Sequence, residues 1–133
     1  MLPFQAERIL VVDDIEDNLF LLKSILVDEG YEVDTANNGK LALAKISASP
    51  PDLVLLDAMM PGIDGYEVTR RIRQNDKLPF MSILMLTAYD DANVPQGLDL
   101  GANDFIRKPI DFEELLARVR VSLRLKHSLS SPK

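Results

Sequence analysis

Apolar residues fall into three short unbroken runs, Ile9 to Val12, Leu53 to Leu56 and Ile83 to Leu86, with a shorter fourth at Phe105-Ile106. Unbroken runs of this length are the pattern of strands covered on both faces, as in a parallel sheet. Between them the spacing changes to threes and fours. Leu19, Leu22, Ile25 and Leu26 predict an amphipathic helix from about Asp17 to Glu29, which Gly30 closes. Tyr31, Val33 and Thr35 alternate with Glu32, Asp34 and Ala36, as in an edge strand with one exposed face. Asn37-Asn38-Gly39 turns the chain into a second helix, Lys40 to about Ser47, ended by Ser49-Pro50-Pro51.

The later elements follow the same alternation. The third strand spans Asp52 to Leu56. Asp64 with Glu67 three residues on has the spacing of a capping box, and predicts a third helix from Gly65 to about Gln74. Ser82 to Leu86 and Asp104 to Arg107 are the fourth and fifth strands, and Asp111-Phe112-Glu113-Glu114 opens a last helix through about Lys126. Pro95 and Gly97 make the fourth helix short or irregular, because proline is tolerated only in a first turn and glycine weakens a helix interior. Strict alternation of strand and helix predicts an α/β fold with a parallel sheet and right-handed crossovers.

Each apolar run ends at a residue that can handle a phosphoryl group: Asp13-Asp14, Asp57, Thr87 and Lys108-Pro109. In doubly wound sheets ligands bind outside the carboxyl ends of the strands, so these groups are expected to converge on one crevice. The 133 residues, 47% of them hydrophobic, are enough for one domain with a real core. No apolar stretch approaches a membrane span, and the first residues lack the features of a signal peptide, so a soluble, cytoplasmic chain is expected. A net charge of -6 argues against direct binding to nucleic acid or anionic membranes, and the lack of cysteine removes thiol chemistry.

With Val11-Val12-Asp13-Asp14, Leu55-Leu56-Asp57, Met60-Pro61-Gly62-Ile63-Asp64-Gly65, Thr87-Ala88, Gly101-Ala102-Asn103-Asp104-Phe105 and Lys108-Pro109, the chain resembles a response-regulator receiver domain of two-component signalling, of the CheY-like superfamily. The resemblance runs from Arg8 to about Leu125. It implies a flavodoxin-like, doubly wound five-stranded sheet of order 2-1-3-4-5 with five helices, spanning residues 8–126 between a tail at 1–7 and a tail or linker at 127–133. It also implies a phosphoacceptor rather than an enzyme turning over a separate substrate. Asp57 would take a phosphoryl group from a sensor histidine kinase or phosphotransfer protein, with Thr87, Ala88, Lys108 and Phe105 as phosphoryl-binding and switch positions and a cis bond before Pro109.

Three carboxylates sharing a site raise one another's pKa unless a cation intervenes, and an all-oxygen donor set suits Mg2+, with Mn2+ as a substitute. By the resemblance, Asp14 and Asp57 would bind the ion directly, Met59 would add its backbone carbonyl, and Asp13 would act through water. Met59 and Tyr89, both bulky, stand two residues beyond Asp57 and Thr87, where they would shield an acyl phosphate and tune its lifetime. Met59 also replaces the second aspartate that a haloacid-dehalogenase-type phosphatase would carry there. A receiver-like interaction module that is never phosphorylated is the other alternative.

The output would be the surface of helix four, strand five and helix five. That surface would bind a downstream protein, form a homodimer, or control a C-terminal output domain if the chain is part of a longer one. Arg120, Arg124 and Lys126 read as a basic stripe, and His127 as a solvated tail residue without a phosphoryl role.

Overall fold

The computed structural model describes residues 6–130. Its elements run β1 Arg8–Val12, α1 Glu16–Asp28, β2 Glu32–Ala36, α2 Gly39–Ala48, β3 Leu53–Asp57, α3 Gly65–Gln74, β4 Ser82–Thr87, α4 Val94–Leu100, β5 Asp104–Arg107 and α5 Phe112–Ser130. All strand pairings are parallel and the order is β2-β1-β3-β4-β5. This is the architecture predicted from the alternation and the resemblance, with element ends within one or two residues except at α5.

Successive strand residues point to opposite faces, and each face of the sheet therefore seeds its own core. Ile9, Val11, Leu53, Leu55, Leu84 and Leu86 face α1 and α5, where Leu19, Leu22, Leu115 and Val119 close over them. Leu10, Val12, Val54, Leu56, Ile83 and Met85 face the other way, against Ala42, Ile46, Val68 and Ile72 of α2 and α3. This double covering is why β1, β3 and β4 read as unbroken apolar runs. Edge strand β2 buries only Ala36 fully, with Val33 and Thr35 half-buried and Glu32 and Asp34 exposed.

Side chains start the helices much as the spacing suggests. Asn38 Oδ1 accepts from the Leu41 N–H, and Asp64 Oδ1 from the Glu67 N–H at 2.9 Å. Asp111 Oδ1 accepts from the Glu113 N–H. The capping box at α3 is only half made: Glu67 turns its carboxylate to Arg70 and Arg71, whose hydrogen bonds, more than their charges, lower its pKa to about 2.

Helix α5 does not end at Lys126. Contacts to the near end of the sheet continue past it: Lys126 Nζ pairs with Asp52 Oδ1 at 3.1 Å, and His127 Nε2 lies 2.9 Å from Glu7 Oε2. His127 is thus a helical residue with a partner, and Lys126 is not part of a free basic stripe. Of the predicted tails at 1–7 and 127–133, residues 1–5 and 131–133 lie outside the described residues. Among the described residues no helix is long and apolar enough to cross a membrane.

α4 has seven residues, with Pro95 in the first turn where its missing N–H costs nothing. Gly97 has a packing reason that its helix propensity hides. A Cβ there would stand 2.5 Å from the ring of Phe105 and 2.8 Å from the ring of Tyr66. The helix therefore rests with its backbone on two aromatic rings. Arg73 of α3 holds the far end of this corner, donating to the carbonyls of Gly101 and Met81 and to Asn103 Oδ1 while lying over the Phe80 ring.

Glycine to alanine within a helix ordinarily gains up to about 1 kcal/mol, whereas overpacking costs about 1–3 kcal/mol. Gly97→Ala is expected to lower stability by about 1–2 kcal/mol in urea denaturation, and a gain would show that the two rings yield freely.

Candidate functional site

The register of the sheet builds the site. Val12 pairs with Leu56 and Asp57 with Leu86, so the residues just beyond β1 reach the level of Asp57 on the adjacent strand β3. Carboxylate oxygens of Asp13, Asp14 and Asp57 all lie within 4.8 Å of one another. Asp13 and Asp57 are buried, at 1% and 4% exposure, while Asp14 is open to solvent.

Each carboxylate is held differently. Asp13 Oδ1 accepts from the Ile15 N–H at 2.9 Å and Oδ2 from Asn18 Nδ2 at 3.2 Å, so it anchors the start of α1 as well as facing the site. Asn18 was not among the residues singled out from the sequence; its spacing of five from Asp13 carries no signal until the helix is in place. Asp57 Oδ1 accepts from Lys108 Nζ and from the Met59 N–H, both at 3.3 Å. Beside it, Gly65 brings the first turn of α3 so close that a Cβ would stand 2.4 Å from the Asp57 carbonyl oxygen.

Lys108 reaches the crevice from β5. Its N–H donates to the Thr87 carbonyl at 2.8 Å, extending the β4–β5 pairing past Arg107, and the Lys108-Pro109 peptide bond is cis. Burial pushes the Asp57 carboxyl above its ordinary range; the Lys108 ammonium pulls it back and the Asp13 charge pushes it up again. Burial outweighs the help from Lys108, so the ionised form of Asp57 is disfavoured in the bare site. Three carboxylates with no sulfur or imidazole among them form a donor set for a hard divalent ion.

Thr87 is fully buried at the end of β4, and its hydroxyl is engaged by the loop that follows. It donates to Asp91 Oδ2 at 2.6 Å, and the Tyr66 hydroxyl donates to the same oxygen. Neither Asp91 nor Tyr66 stood out in the sequence, because 25 residues separate them and only the packing of α3 beside β4 unites them. Arg107 Nη1 gathers the loop after β4 by the carbonyls of Ala88, Tyr89 and Asp91. Phe105 is half-buried and packs on the α3 side of the sheet. Met59 and Tyr89 are 62% and 77% exposed on the loops flanking the crevice.

A cleft of about 200 Å³ adjoins the site between α1 and α5, lined by Asn18, Leu21, Leu22, Lys108, Ile110 and Phe112. A larger one, about 470 Å³, lies at the opposite end of β1 and β2 between Arg8, Glu32 and Lys45. It contains none of the three clustered carboxylates, so size does not locate the chemistry.

The family model described as "Response regulator receiver domain" matches residues 9–120. The chain is 48% identical over 122 residues to Response regulator PleD of Caulobacter vibrioides, covering 91% of this chain and 27% of that protein. It is 47% identical over 119 residues to the alkaline phosphatase synthesis transcriptional regulatory protein PhoP of Bacillus subtilis, covering 89% of this chain and 49% of that one. The chain thus spans a quarter to a half of these curated relatives. Among solved structures it superposes on a CheY-like response regulator receiver domain protein from Methanospirillum hungatei JF-1 with a TM-score of 0.86 at 32% identity, covering 93% and 98% of the two chains. Chemotaxis protein CheY4 of Vibrio cholerae gives 0.82 at 32%, covering 89% and 99%.

A carboxyl whose folded pKa is raised binds more protons folded than unfolded, so its contribution to stability falls as pH rises from the unfolded value through the folded one. In chelator at pH 7, Asp57→Asn is expected to be more stable than the parent, because the parent must ionise a buried carboxyl. The gap should close as pH falls toward about 4, and millimolar Mg2+ should stabilise the parent selectively. Urea melts across pH check both; a pH-independent difference would mean that ionisation of Asp57 is not its source.

Proposed function

The chain belongs to the response regulator receiver domain family, and from that premise we propose that it accepts a phosphoryl group on Asp57 from a phosphohistidine of a sensor kinase or phosphotransfer protein. The observation that carries this reading is the convergence of Asp13, Asp14 and Asp57 within 4.8 Å, with Lys108 on Asp57. An Asp57 carboxylate oxygen forms a bond to phosphorus as the phosphorus–nitrogen bond breaks, and the departing imidazole keeps the bonding pair and takes a proton. In-line positioning and neutralised oxygens matter more in such a transfer than covalent assistance from the protein.

The chain's own residues share that work. Lys108 holds Asp57 in place and offers its ammonium to the transferred oxygens. Asp14, Asp57 and the Met59 carbonyl are the proposed direct ligands of Mg2+ or Mn2+, with Asp13 joined through water. A bound divalent ion would neutralise the carboxylates and the equatorial phosphoryl oxygens. The Ala88 backbone and the Thr87 hydroxyl complete the phosphoryl contacts, and Phe105 carries the change to the surface of α4, β5 and α5. The exposed apolar side chains Phe20, Leu21 and Phe112 lie on the two helices that flank the cleft beside Lys108, with Ile15 just before the first of them, and are suited to a protein donor. The output surface would meet a downstream protein, a second copy, or an attached output domain, in the cytoplasm.

Incubation with acetyl phosphate and Mg2+ is expected to add one phosphoryl group by intact mass. It should be lost in Asp57→Asn and in chelator; addition that persists in Asp57→Asn would move the acceptor elsewhere. Met59 and Tyr89 are proposed to screen the acyl phosphate from water. Met59→Asn with Tyr89→Ala should speed its hydrolysis several-fold, and a change below twofold in a decay assay would remove them from that role.

A further inference from the structure

Thr87 carries one hydroxyl proton, and a hydroxyl can donate it to one acceptor at a time. Here that acceptor is Asp91. Thr87 Oγ1 lies 2.6 Å from Asp91 Oδ2, the Tyr66 hydroxyl donates to the same oxygen, and the Asn93 N–H donates to Oδ1 at 2.8 Å. Three donors thus converge on one half-buried carboxylate, and Arg107 holds the same loop by the Asp91 carbonyl at 3.1 Å. The Asp91 carboxylate is built into the fold, not a loose surface group.

We propose that Asp91 is a latch, a positioning residue that keeps the Thr87 hydroxyl engaged in the resting state and competes with phosphoryl oxygens for its single proton. This rests on the phosphoacceptor reading of Asp57 and Thr87 and adds to it what sets the threshold of the switch. Charge-assisted hydrogen bonds are the stronger kind, so the phosphoryl group must offer more than Asp91 does. Burial raises the Asp91 pKa, but the Thr87 and Tyr66 hydroxyls, the Asn93 N–H and the Arg107 charge together keep the carboxyl below its usual range. Burial and Asp91 push the Tyr66 phenol up to about 12, so it stays a donor.

Tyr66 gives the latch its reach. Its ring and that of Phe105 are the two on which the backbone of α4 rests at Gly97. When Thr87 leaves Asp91, the carboxylate keeps Tyr66 and Asn93 as its partners. Tyr66 and the start of α4 are then free to settle into a new arrangement around it. The latch therefore couples the phosphoryl site to α4 through α3 as well as through β5.

The test is titration of the Mg2+-loaded chain with beryllofluoride, a phosphoryl mimic, followed by calorimetry. Asp91→Ala should tighten binding by about tenfold, the scale of one hydrogen bond to a charged group, and Asp91→Asn, a neutral acceptor, by less. In a Thr87→Ala background Asp91→Ala should change affinity by less than twofold. A tightening that survives there would be a bare charge effect and overturns the latch. An unliganded-state measurement stands beside it: Asp91→Ala should move the Thr87 methyl resonance toward its beryllofluoride-bound position, and an unmoved resonance overturns the proposal. Beryllofluoride binding to the parent with no change in Asp91→Ala overturns the latch alone. No binding to the parent overturns the phosphoacceptor reading and the latch with it.

Discussion

Electrostatic repulsion among the carboxylates at the ends of β1 and β3 is the constraint around which the rest of this molecule is arranged. Nothing in the local chain brings Asp57 to Asp13 and Asp14; their own charges oppose it. What holds them is the parallel pairing of two strands buried on both faces. Each fully buried leucine, isoleucine or valine on those strands contributes about 1.5–3 kcal/mol, against about 1.4 kcal/mol for each unit by which a carboxyl is pushed from its ordinary pKa. A handful of core side chains therefore outweighs the strain of the site, and the sheet can carry a cluster of charge that is unstable on its own.

The same constraint shapes what surrounds the cluster. Lys108 offsets the Asp13 charge at Asp57 from across two strands, and burial still holds the Asp57 carboxyl above its ordinary range. A hard cation would favour the ionised form against that burial. Asp13 serves both demands, since its two oxygens also receive the Ile15 N–H and Asn18 and so fix where α1 begins. Structure and site share a side chain here, so loss of Asp13 disturbs both.

On the other side of the crevice, polar and aromatic packing are joined. Thr87, Asp91 and Tyr66 form one hydrogen-bonded group, and the Tyr66 ring with that of Phe105 supports α4 through the bare backbone of Gly97. Sub-ångström shifts in such a packed corner cannot be absorbed gradually, because interiors are close-packed and rearrange between discrete states. Arg73 pins the far end of this corner at Gly101, Met81 and Asn103, leaving the near end as the place where rearrangement is cheapest.

By itself the sequence determined the parallel α/β architecture, because strands buried on both faces must be unbroken apolar runs and helices between them must show a spacing of three and four. It also determined the carboxylate cluster, since strand-end carboxylates sit at positions that any such sheet gathers at one edge. Its reading failed where a residue's meaning depends on a distant neighbour. Gly97 looked like a defect in a helix until Tyr66 and Phe105 were beneath it. The half-made capping box at Glu67, the pairing of Lys126 with Asp52, and the helical His127 all turn on partners that local spacing does not reveal. Only the tertiary structure decided that the Thr87 hydroxyl is given to Asp91, because a hydroxyl donates to one acceptor at a time and the course of the loop after β4 supplies it.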